Sequence, residues 1–343
     1  MRIAVLAGGV SRERDVSLLS GTMIARALRS AGNEVALIDS FVGVPQDVPD
    51  GTLFTRDNAE PIPSISEHLP DIEALRRTRT GSGDIGPGVV DVLRKADITF
   101  NALHGGDGEN GKLQAYLDLQ GIRYTGDGYF ASALAMHKDV AKLLFERAGV
   151  PVPNGTVYRS GRDSVTWTGS YPAVVKPCAA GSSVGVAFAA NDDELRQAVE
   201  AAFEFDDGVL VEDRIAGREF AVGVLGGHAL PVVEILPSDG SRYDYAHKYQ
   251  AGRTEETCPA DIPDETTRHL QDLAERACRA LGIEILARGE FIIGPDGVPR
   301  CLEMNTVPGM TPTSLLPQEA GAAGMSFEAL CTRIVDLSMK KHD

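Results

Sequence analysis

Residues 2–17 read RIAVLAGGVSRERDVS, which is a short apolar run, two glycines and a charged segment. The apolar run is typical of a buried strand, and the residues after it predict a helix from Val16 to Ala31. A second strand is predicted from Asn33 to Ile38. A strand, a turn, a helix and another strand in this order indicate a parallel sheet with helices on its faces. Because the apolar run is so short, we expect a strand here and not a signal peptide.

The composition limits the class of protein. The chain has 343 residues, of which 43% are hydrophobic, enough for two or three domains. Its net charge of −16 would repel nucleic acid, so locally placed cations must hold any anionic ligand. No apolar stretch is long enough to span a membrane. The five cysteines are an odd number without a CxxC pair, which favours reduced thiols in the cytoplasm.

Two strands near the C-terminal end carry the clearest chemical pattern. Glu303 and Asn305 are two residues apart on one strand, as are Arg288 and Glu290 on the other, so each pair leaves one face. If the strands pair, three oxygen ligands suited to Mg²⁺ lie beside one guanidinium. For either pair alone, a salt-bridged polar face is the simpler interpretation. The loop TVPGMTPTSL from Thr306 adds N–H groups and hydroxyls that can hold a carboxylate or an oxyanion.

A lysine at a strand end and the loop after it indicate phosphate binding. Lys176 ends the strand VVKP, and GSSVG follows from Gly181, where main-chain N–H groups can surround phosphates. The order GxxxxGK[ST] is absent, so this is not a P-loop. Lys138 and Lys248 are further candidates, but a lone lysine is usually a surface residue. Residues 238–263 are polar and too long for an ordinary connection, which indicates a functional loop.

The turn GDGENG from Gly106 supports an alternative. It satisfies GxGxxG between a strand and a helix, with Asp127 downstream, as in a nicotinamide (NAD)-dependent oxidoreductase. The motif is not in the opening strand–helix–strand unit, however. Asp127 also lies in a TGDG turn and not at the end of the following strand, where an acid that binds ribose is placed.

Ordered matches over nearly the whole chain resemble the D-alanine–D-alanine ligases of the ATP-grasp superfamily. The matching segments are AGGVSRERDVSLLSG from Ala7, LHGGDGENG from Leu103, YTGDG from Tyr124, ASALAMHK from Ala131, KP from Lys176, GSSVG from Gly181, VED from Val211, GREF from Gly217, YDYAHKY from Tyr243, RGE from Arg288 and LEMNTVPGMTPTSL from Leu302. The resemblance implies an α/β fold, α+β in parts, with three domains. They would be an N-terminal parallel α/β domain that binds substrate (1–130), a small central domain (131–214) and a C-terminal catalytic domain (215–343), with ATP between the last two.

The resemblance implies a two-step reaction for peptidoglycan precursor synthesis. The carboxylate of one D-alanine attacks the γ-phosphate of ATP, and the amine of the second displaces phosphate from the acyl phosphate. Ligases for D-lactate usually carry histidine where this chain has Tyr249, so the second substrate would be an amino acid. Two alternatives stay open. One is a related ligase whose second substrate is D-lactate, D-serine or another amino acid, and the other is a catalytically silent ATP-binding protein with a regulatory role. A cytoplasmic homodimer without a nucleic-acid or membrane partner is expected.

The resemblance also implies how ATP is held. Glu290, Glu303 and Asn305 would bind two Mg²⁺ or Mn²⁺ ions, although the family usually has Asp at Glu290 and at Asn110. Residues that would contact the nucleotide are Lys138, Lys176, Ser183, Glu212, Asp213, Ile215, Glu219, Lys248 and Leu302. Among these, the lysines and Ser183 would meet the phosphates, Glu212 the adenine amino group and Glu219 the ribose.

The remaining implied roles concern the amino acids. Glu13 would pair with the ammonium of the first D-alanine, and His104 would lie beside it. Arg288 and the Gly309 amide would stabilise the oxyanion of the tetrahedral intermediate. The carboxylate of the second D-alanine would be bound by Ser314 and by the main-chain amide of Leu315. A hydrogen-bonded link among Tyr249, Ser182 and Glu13 would hold the 238–263 loop closed over the site, which would exclude water.

Overall fold

The computed structural model describes residues 1–45, 48–66, 69–79, 83–181, 184–237 and 254–342. The chain divides into two compact units. The first unit comprises Met1–Ser132, Glu284–Ala287 and Thr306–Asp343, and the second comprises Ala133–Ile283 and Arg288–Asn305. The expected division into three domains stays a prediction.

Helices and strands alternate in the first part of the chain, and strands dominate the second. The strands are β1 (Arg2–Ala7), β2 (Glu34–Asp39), β3 (Ile98–Asn101), β4 (Gly155–Arg159), β5 (Ala173–Pro177), β6 (Ala187–Ala189), β7 (Gly208–Asp213), β8 (Arg218–Leu225), β9 (His228–Ala229), β10 (Val233–Pro237), β11 (Thr254–Thr257), β12 (Leu286–Ile293) and β13 (Pro299–Asn305). The helices are α1 (Arg14–Ser30), α2 (Asp50–Leu53), α3 (Ile72–Arg77), α4 (Val89–Leu93), α5 (Lys112–Leu119), α6 (Tyr129–Met136), α7 (Lys138–Arg147), α8 (Asp192–Ala202), α9 (Asp264–Leu281), α10 (Leu315–Ala322) and α11 (Phe327–Lys341).

The first unit is built on a parallel sheet, as the opening of the chain predicts. Its strand order is β2-β1-β3, and Ile3 lies opposite both Val35 and Ile98. Every side chain of β1 after Arg2 is buried, because the strand is central and α1 packs against it. The apolar face of α1 includes the buried residues Val16, Ile24 and Leu28. Burial of such side chains contributes about 1.5–3 kcal/mol each.

The second unit contains two mainly antiparallel sheets. One has the strand order β4-β7-β5-β6, and the other has the order β11-β10-β8-β12-β13 with β9 beside β8. Helix α8 packs on the first sheet, and α9 lies against β8 and β13 of the second. Helix α9 buries Leu270, Leu273, Ala277 and Leu281, spaced as one face of a helix requires. Within the described ranges, no helix is long and apolar enough to cross a bilayer.

Candidate active site

Strands β12 and β13 bring four predicted site residues together. They pair antiparallel, with Arg288 opposite Asn305 and Glu290 opposite Glu303. Residues directly opposite one another share a face of the sheet, so two carboxylates, an amide and a guanidinium form one patch. Arg288 donates from Nη2 to Oε1 of Glu290 at 2.6 Å. The pairing on which the predicted magnesium site depends is therefore present.

One of the predicted phosphate lysines lies against this patch, and a second is influenced by its charges. Lys138, the first residue of α7, places Nζ 3.2 Å from Oε2 of Glu303. Burial alone would lower the pKa of Lys176, but the negative charges of Glu212, Glu303 and Glu290 raise it overall. A raised pKa keeps the ammonium of Lys176 charged at neutral pH, as a contact with phosphate requires.

Glu212 is held between two lysines inside the second unit. One oxygen pairs with Lys142, and the other lies 2.5 Å from Nζ of Lys176. Burial alone would raise the pKa of Glu212, but the charges of Lys176 and Lys142 outweigh burial and lower it. Burial lowers the pKa of Lys142, Glu212 opposes that shift, and Lys176 adds to it. The carboxylate expected near adenine thus also organises two buried cations.

Helix α7 explains why Lys138 and Lys142 point the same way. They are four residues apart, so they lie on one helix face, and α7 contacts β13. The N–H of Cys301 on β13 donates to the oxygen of Pro151, shortly after the helix, at 2.8 Å. The sequence did not identify Lys142. Its spacing of four residues from Lys138 would have placed both lysines on one face of a helix, but it gave no indication of the buried partner Glu212.

The other predicted nucleotide residues that the structure describes in the second unit lie on or just after strands. Asp213 ends β7 and accepts from N–H and Oγ of Ser170, both at 2.8 Å. Burial would raise the pKa of Asp213, but these hydrogen bonds and one from Asn154 lower it. All the nucleotide contacts predicted on or near these strands are half-buried, namely Asp213, Ile215, Glu219 on β8 and Leu302 on β13.

In the first unit, Glu13 lies against the turn that follows β3. Glu13 is buried, and a Cβ at Gly105 would come within 2.8 Å of its Oε2. Gly105 has φ +68°, a conformation that favours glycine. Oγ of Ser11 donates to the oxygen of His104 at 2.5 Å and accepts from the N–H of Glu13 at 3.2 Å. The turn therefore brings together the two residues predicted to bind the first D-alanine.

His104 is fixed on both ring nitrogens. Nε2 is 3.0 Å from Oγ of Ser20, and Nδ1 is 3.1 Å from the oxygen of Val307. His104 also lines a cavity of about 350 Å³, together with the glycine-rich turns 8–11 and 105–108. The cavity is large enough for a small polar molecule, and it lies at the ends of β1 and β3 where ligands of parallel sheets bind.

The loop after β13 forms a compact hydroxyl turn. Ser314 Oγ accepts from the N–H of Thr311 at 3.0 Å and lies 2.7 Å from its Oγ1. A Cβ at Gly309 would come within 2.8 Å of the same Oγ. Leu315 is the first residue of α10, where N–H groups have no partner within the helix. The predicted carboxylate-binding pair thus lies at a helix N-terminus, which favours an anion.

Four predicted residues lie outside the described part of the chain. They are Ser182, Ser183, Lys248 and Tyr249. The two serines come directly after a described segment in which Nζ of Lys138 donates to the oxygen of Ala180 at 2.7 Å. Their implied roles stay predictions.

Asp127 has a structural role in the first unit. Its carboxylate accepts the N–H groups of Glu284, Ile285 and Leu286 at 2.6, 3.0 and 3.1 Å. Both oxygens are engaged by these main-chain donors. The acid that the oxidoreductase alternative needs for ribose is thus occupied in holding the segment that leads into β12.

The donor set on β12 and β13 suits a metal that is shared with a substrate. Across the described ranges, no group of three or more His, Cys, Asp or Glu side chains forms a potential metal site. Two facing carboxylates and an amide are instead hard oxygen donors, and Mg²⁺ in such sites completes its shell with water and phosphate oxygens. Lys138 and Arg288 balance the charge of the carboxylates. The residues present therefore fit Mg²⁺ or Mn²⁺.

The second unit defines the class of protein. Within this unit, one antiparallel sheet carries Lys176 and Glu212, and the other carries the paired carboxylates of β12 and β13. This is the ATP-grasp fold, and the class is that of ATP-dependent ligases.

Comparisons with known proteins give the family. The family model of the D-ala D-ala ligase N-terminus matches residues 2–127, and that of the D-ala D-ala ligase C-terminus matches residues 144–336. The chain belongs to the D-alanine–D-alanine ligase family.

Individual relatives match along their whole length. The chain is 42% identical to the D-alanine–D-alanine ligase of Pediococcus pentosaceus, with 100% of this chain and 99% of the relative covered. It is also 42% identical to that of Halalkalibacterium halodurans, with 99% and 100% covered. The crystal structure of D-alanine–D-alanine ligase from Bacillus anthracis complexed with ATP is 27% identical, with a TM-score of 0.75, and 100% and 98% of the two chains are covered.

Proposed function

We propose that this chain joins two molecules of D-alanine into D-alanyl-D-alanine and converts ATP to ADP and phosphate. The observation that carries the proposal is the pairing of Glu290 with Glu303 beside Lys138 and Lys176. Positive groups that face a paired-carboxylate metal site are what phosphoryl transfer needs, because that reaction depends on positioning and charge neutralisation. The names of the full-length relatives supply the substrate.

The second unit would bind the nucleotide. Lys138 and Lys176 would hold the phosphates, and Glu212 would accept from the adenine amino group. Glu290, Glu303 and Asn305 would hold two Mg²⁺ or Mn²⁺ ions, which when bound would neutralise charge on the transferred phosphoryl group. Predicted contacts that complete the nucleotide site are Asp213, Ile215, Glu219, Leu302, Ser183 and Lys248.

The amino acids would be bound by charge complementarity. Glu13 would pair with the ammonium of the first D-alanine, and the hydroxyl of Ser314 with the N–H of Leu315 would hold the carboxylate of the second. As the amine attacks the acyl phosphate, negative charge grows on the carbonyl oxygen, and Arg288 and the Gly309 N–H would stabilise it. The guanidinium of Arg288 is already oriented by Glu290 at 2.6 Å.

The proposed setting is the cytoplasm, where ATP is available and the five cysteines, all of them free thiols, stay reduced. A homodimer is also proposed, on the family resemblance. Ultracentrifugation of the purified chain over a range of concentrations tests the dimer, which a single monomeric species would contradict.

ADP release tests the activity and its alternatives together. The purified chain is given ATP and Mg²⁺ with D-alanine alone, with L-alanine, and with D-alanine plus an excess of D-lactate or D-serine. We expect ADP release with D-alanine, little with L-alanine, and dipeptide as the main product by mass. Predominant ester with D-lactate would identify a different second substrate. Absence of ADP under all conditions would indicate a silent ATP-binding protein.

A further inference from the structure

The second unit contains a charged triad of Lys142, Glu212 and Lys176 that is almost inaccessible to water. The side chains of Lys142 and Glu212 are only 8% and 2% exposed, and that of Lys176 is 12% exposed. One oxygen of Glu212 pairs with each lysine. Burial lowers the pKa of Lys142, but its contact with the carboxylate of Glu212 favours the ammonium form. Two ammonium groups and one carboxylate then leave the triad with one net positive charge.

This net charge lies beside the proposed phosphate site, because Lys142 shares a helix face with Lys138, whose Nζ is 3.2 Å from Oε2 of Glu303. The carboxylates of Glu303 and Glu290 also act on the charge of Lys176. If Glu212 had Lys176 as its only cation, the pair would be neutral, and its attraction for a phosphate would fall sharply. Lys142 prevents this, because its buried ammonium group pairs with the other oxygen of Glu212 and supplies a second positive charge. In a medium of low polarity such a charge has a large effect on neighbouring groups.

We propose that Lys142 is a positioning residue that neutralises Glu212 and thereby keeps the charge of Lys176 available for the phosphates of ATP. The inference rests on the proposed function, since it assumes that Lys176 contacts phosphate. It assigns no contact between Lys142 and the nucleotide. Its effect on ATP binding comes through the carboxylate that the two lysines share.

A charge-restoring pair of substitutions distinguishes this role from simple packing. Lys142→Met keeps an unbranched side chain but leaves Glu212 to take up the charge of Lys176. The double variant Lys142→Met with Glu212→Gln removes both charges and returns the triad to one net positive charge. The amide oxygen of Gln can still accept from adenine. Arg147→Met removes an exposed cation from the same helix α7 and is the matched control.

The measurements are KM for ATP, KM for D-alanine and kcat, together with the Kd of a non-hydrolysable ATP analogue and the thermal unfolding midpoint. Loss of one charged contact corresponds to about a tenfold or greater change in affinity. We expect Lys142→Met to raise KM for ATP by about that factor, with a smaller effect on KM for D-alanine. The double variant should recover most of the ATP affinity, as should Lys142→Arg relative to Lys142→Met, and the Arg147 control should match wild type.

The double variant decides the result. If it binds the ATP analogue no better than Lys142→Met, while both unfold near the wild-type midpoint, the charge argument is wrong. If Lys142→Met does not fold, the double variant is compared with Glu212→Gln alone, in which the adenine contact is changed in the same way, and a tenfold weaker Kd in the double variant overturns the proposal because Lys142 would then act without Glu212. Failure of the proposed ligase reaction would appear separately, as a wild-type chain that binds the analogue but releases no ADP with D-alanine.

Discussion

At the scale of single residues, Glu303 is the side chain on which the proposed chemistry depends most. It faces Glu290 across the strand pair and lies 3.2 Å from Lys138. Glu303→Gln keeps the shape but removes the charge, so kcat should fall about a hundredfold or more. Steady-state kinetics measures this, and the thermal midpoint should change little. Glu200→Gln, on the exposed face of α8, is the control; near wild-type turnover in Glu303→Gln would show that the metal assignment is wrong.

Glu290 differs from the aspartate that the family usually has at this position, so its extra methylene can be tested. Mg²⁺ requires regular octahedral geometry, whereas Mn²⁺ tolerates more distortion. Glu290→Asp should keep Mg²⁺-supported turnover within about threefold of wild type, and Glu290→Ala should lose about a hundredfold. Activity is titrated with each metal. Full activity of Glu290→Ala would mean that the residue binds no metal.

The residue pattern was predictable where a regular period fixes it. Residues two apart on a strand share a face, so Arg288 with Glu290 and Glu303 with Asn305 could be grouped from the sequence alone. Lys142 could not be assigned a role in this way. Its partner Glu212 is distant along the chain, and nothing in the spacing shows that both approach the same buried point.

At the scale of elements, the turn after β3 is the one whose backbone lies most closely against Glu13, the residue proposed to bind D-alanine. Gly105→Ala would place a methyl group 2.8 Å from Glu13 Oε2 at φ +68°. Gly121→Ala is a matched control, because Gly121 has φ +64° and a methyl group added there would meet no heavy atom within 4 Å. Both substitutions should cost about 1 kcal/mol of stability through backbone strain. Only Gly105→Ala should also raise KM for D-alanine, about tenfold, because it displaces Glu13.

Unfolding in urea and KM for D-alanine separate these two effects. Equal KM values for the two glycine variants would contradict the assignment of Glu13 to the ammonium of D-alanine. A loss of stability in Gly105→Ala that far exceeds the loss in Gly121→Ala would show instead that the turn itself had collapsed.

Element positions were predicted well where periodicity is strong. The opening helix and the strand after it lie where they are predicted, although α1 begins two residues before Val16 and β2 is shifted by one residue from the predicted Asn33–Ile38. Helix ends are harder to predict because the N–H groups of the first turn have no partner within the helix and depend on their surroundings. Helix α6 was missed, since residues 129–136 are nearly all apolar and show no helical alternation.

At the scale of the whole molecule, the sequence predicted the type of fold but not that C-terminal segments return to the first unit. The first unit takes residues 284–287 and 306–343 from the C-terminal part, and Asp127 holds the former segment through three main-chain N–H groups. Such returns of the chain depend on contacts between distant residues, which local patterns do not encode. The overall charge of −16 implies locally placed cations for any anionic ligand, but it does not show that they gather around Glu303 and Glu212.

The central claim is that the carboxylate of D-alanine attacks ATP before a peptide bond forms. The most direct test supplies D-alanine labelled with ¹⁸O in its carboxylate, together with ATP and Mg²⁺, and analyses the released phosphate by mass. In the proposed reaction the oxygen that bridges carbon and phosphorus leaves with phosphate when the amine attacks. Each phosphate released should therefore carry one ¹⁸O, in equal amount to D-alanyl-D-alanine and ADP. Unlabelled phosphate would contradict the account, because ATP would then have been hydrolysed by water without forming the acyl phosphate.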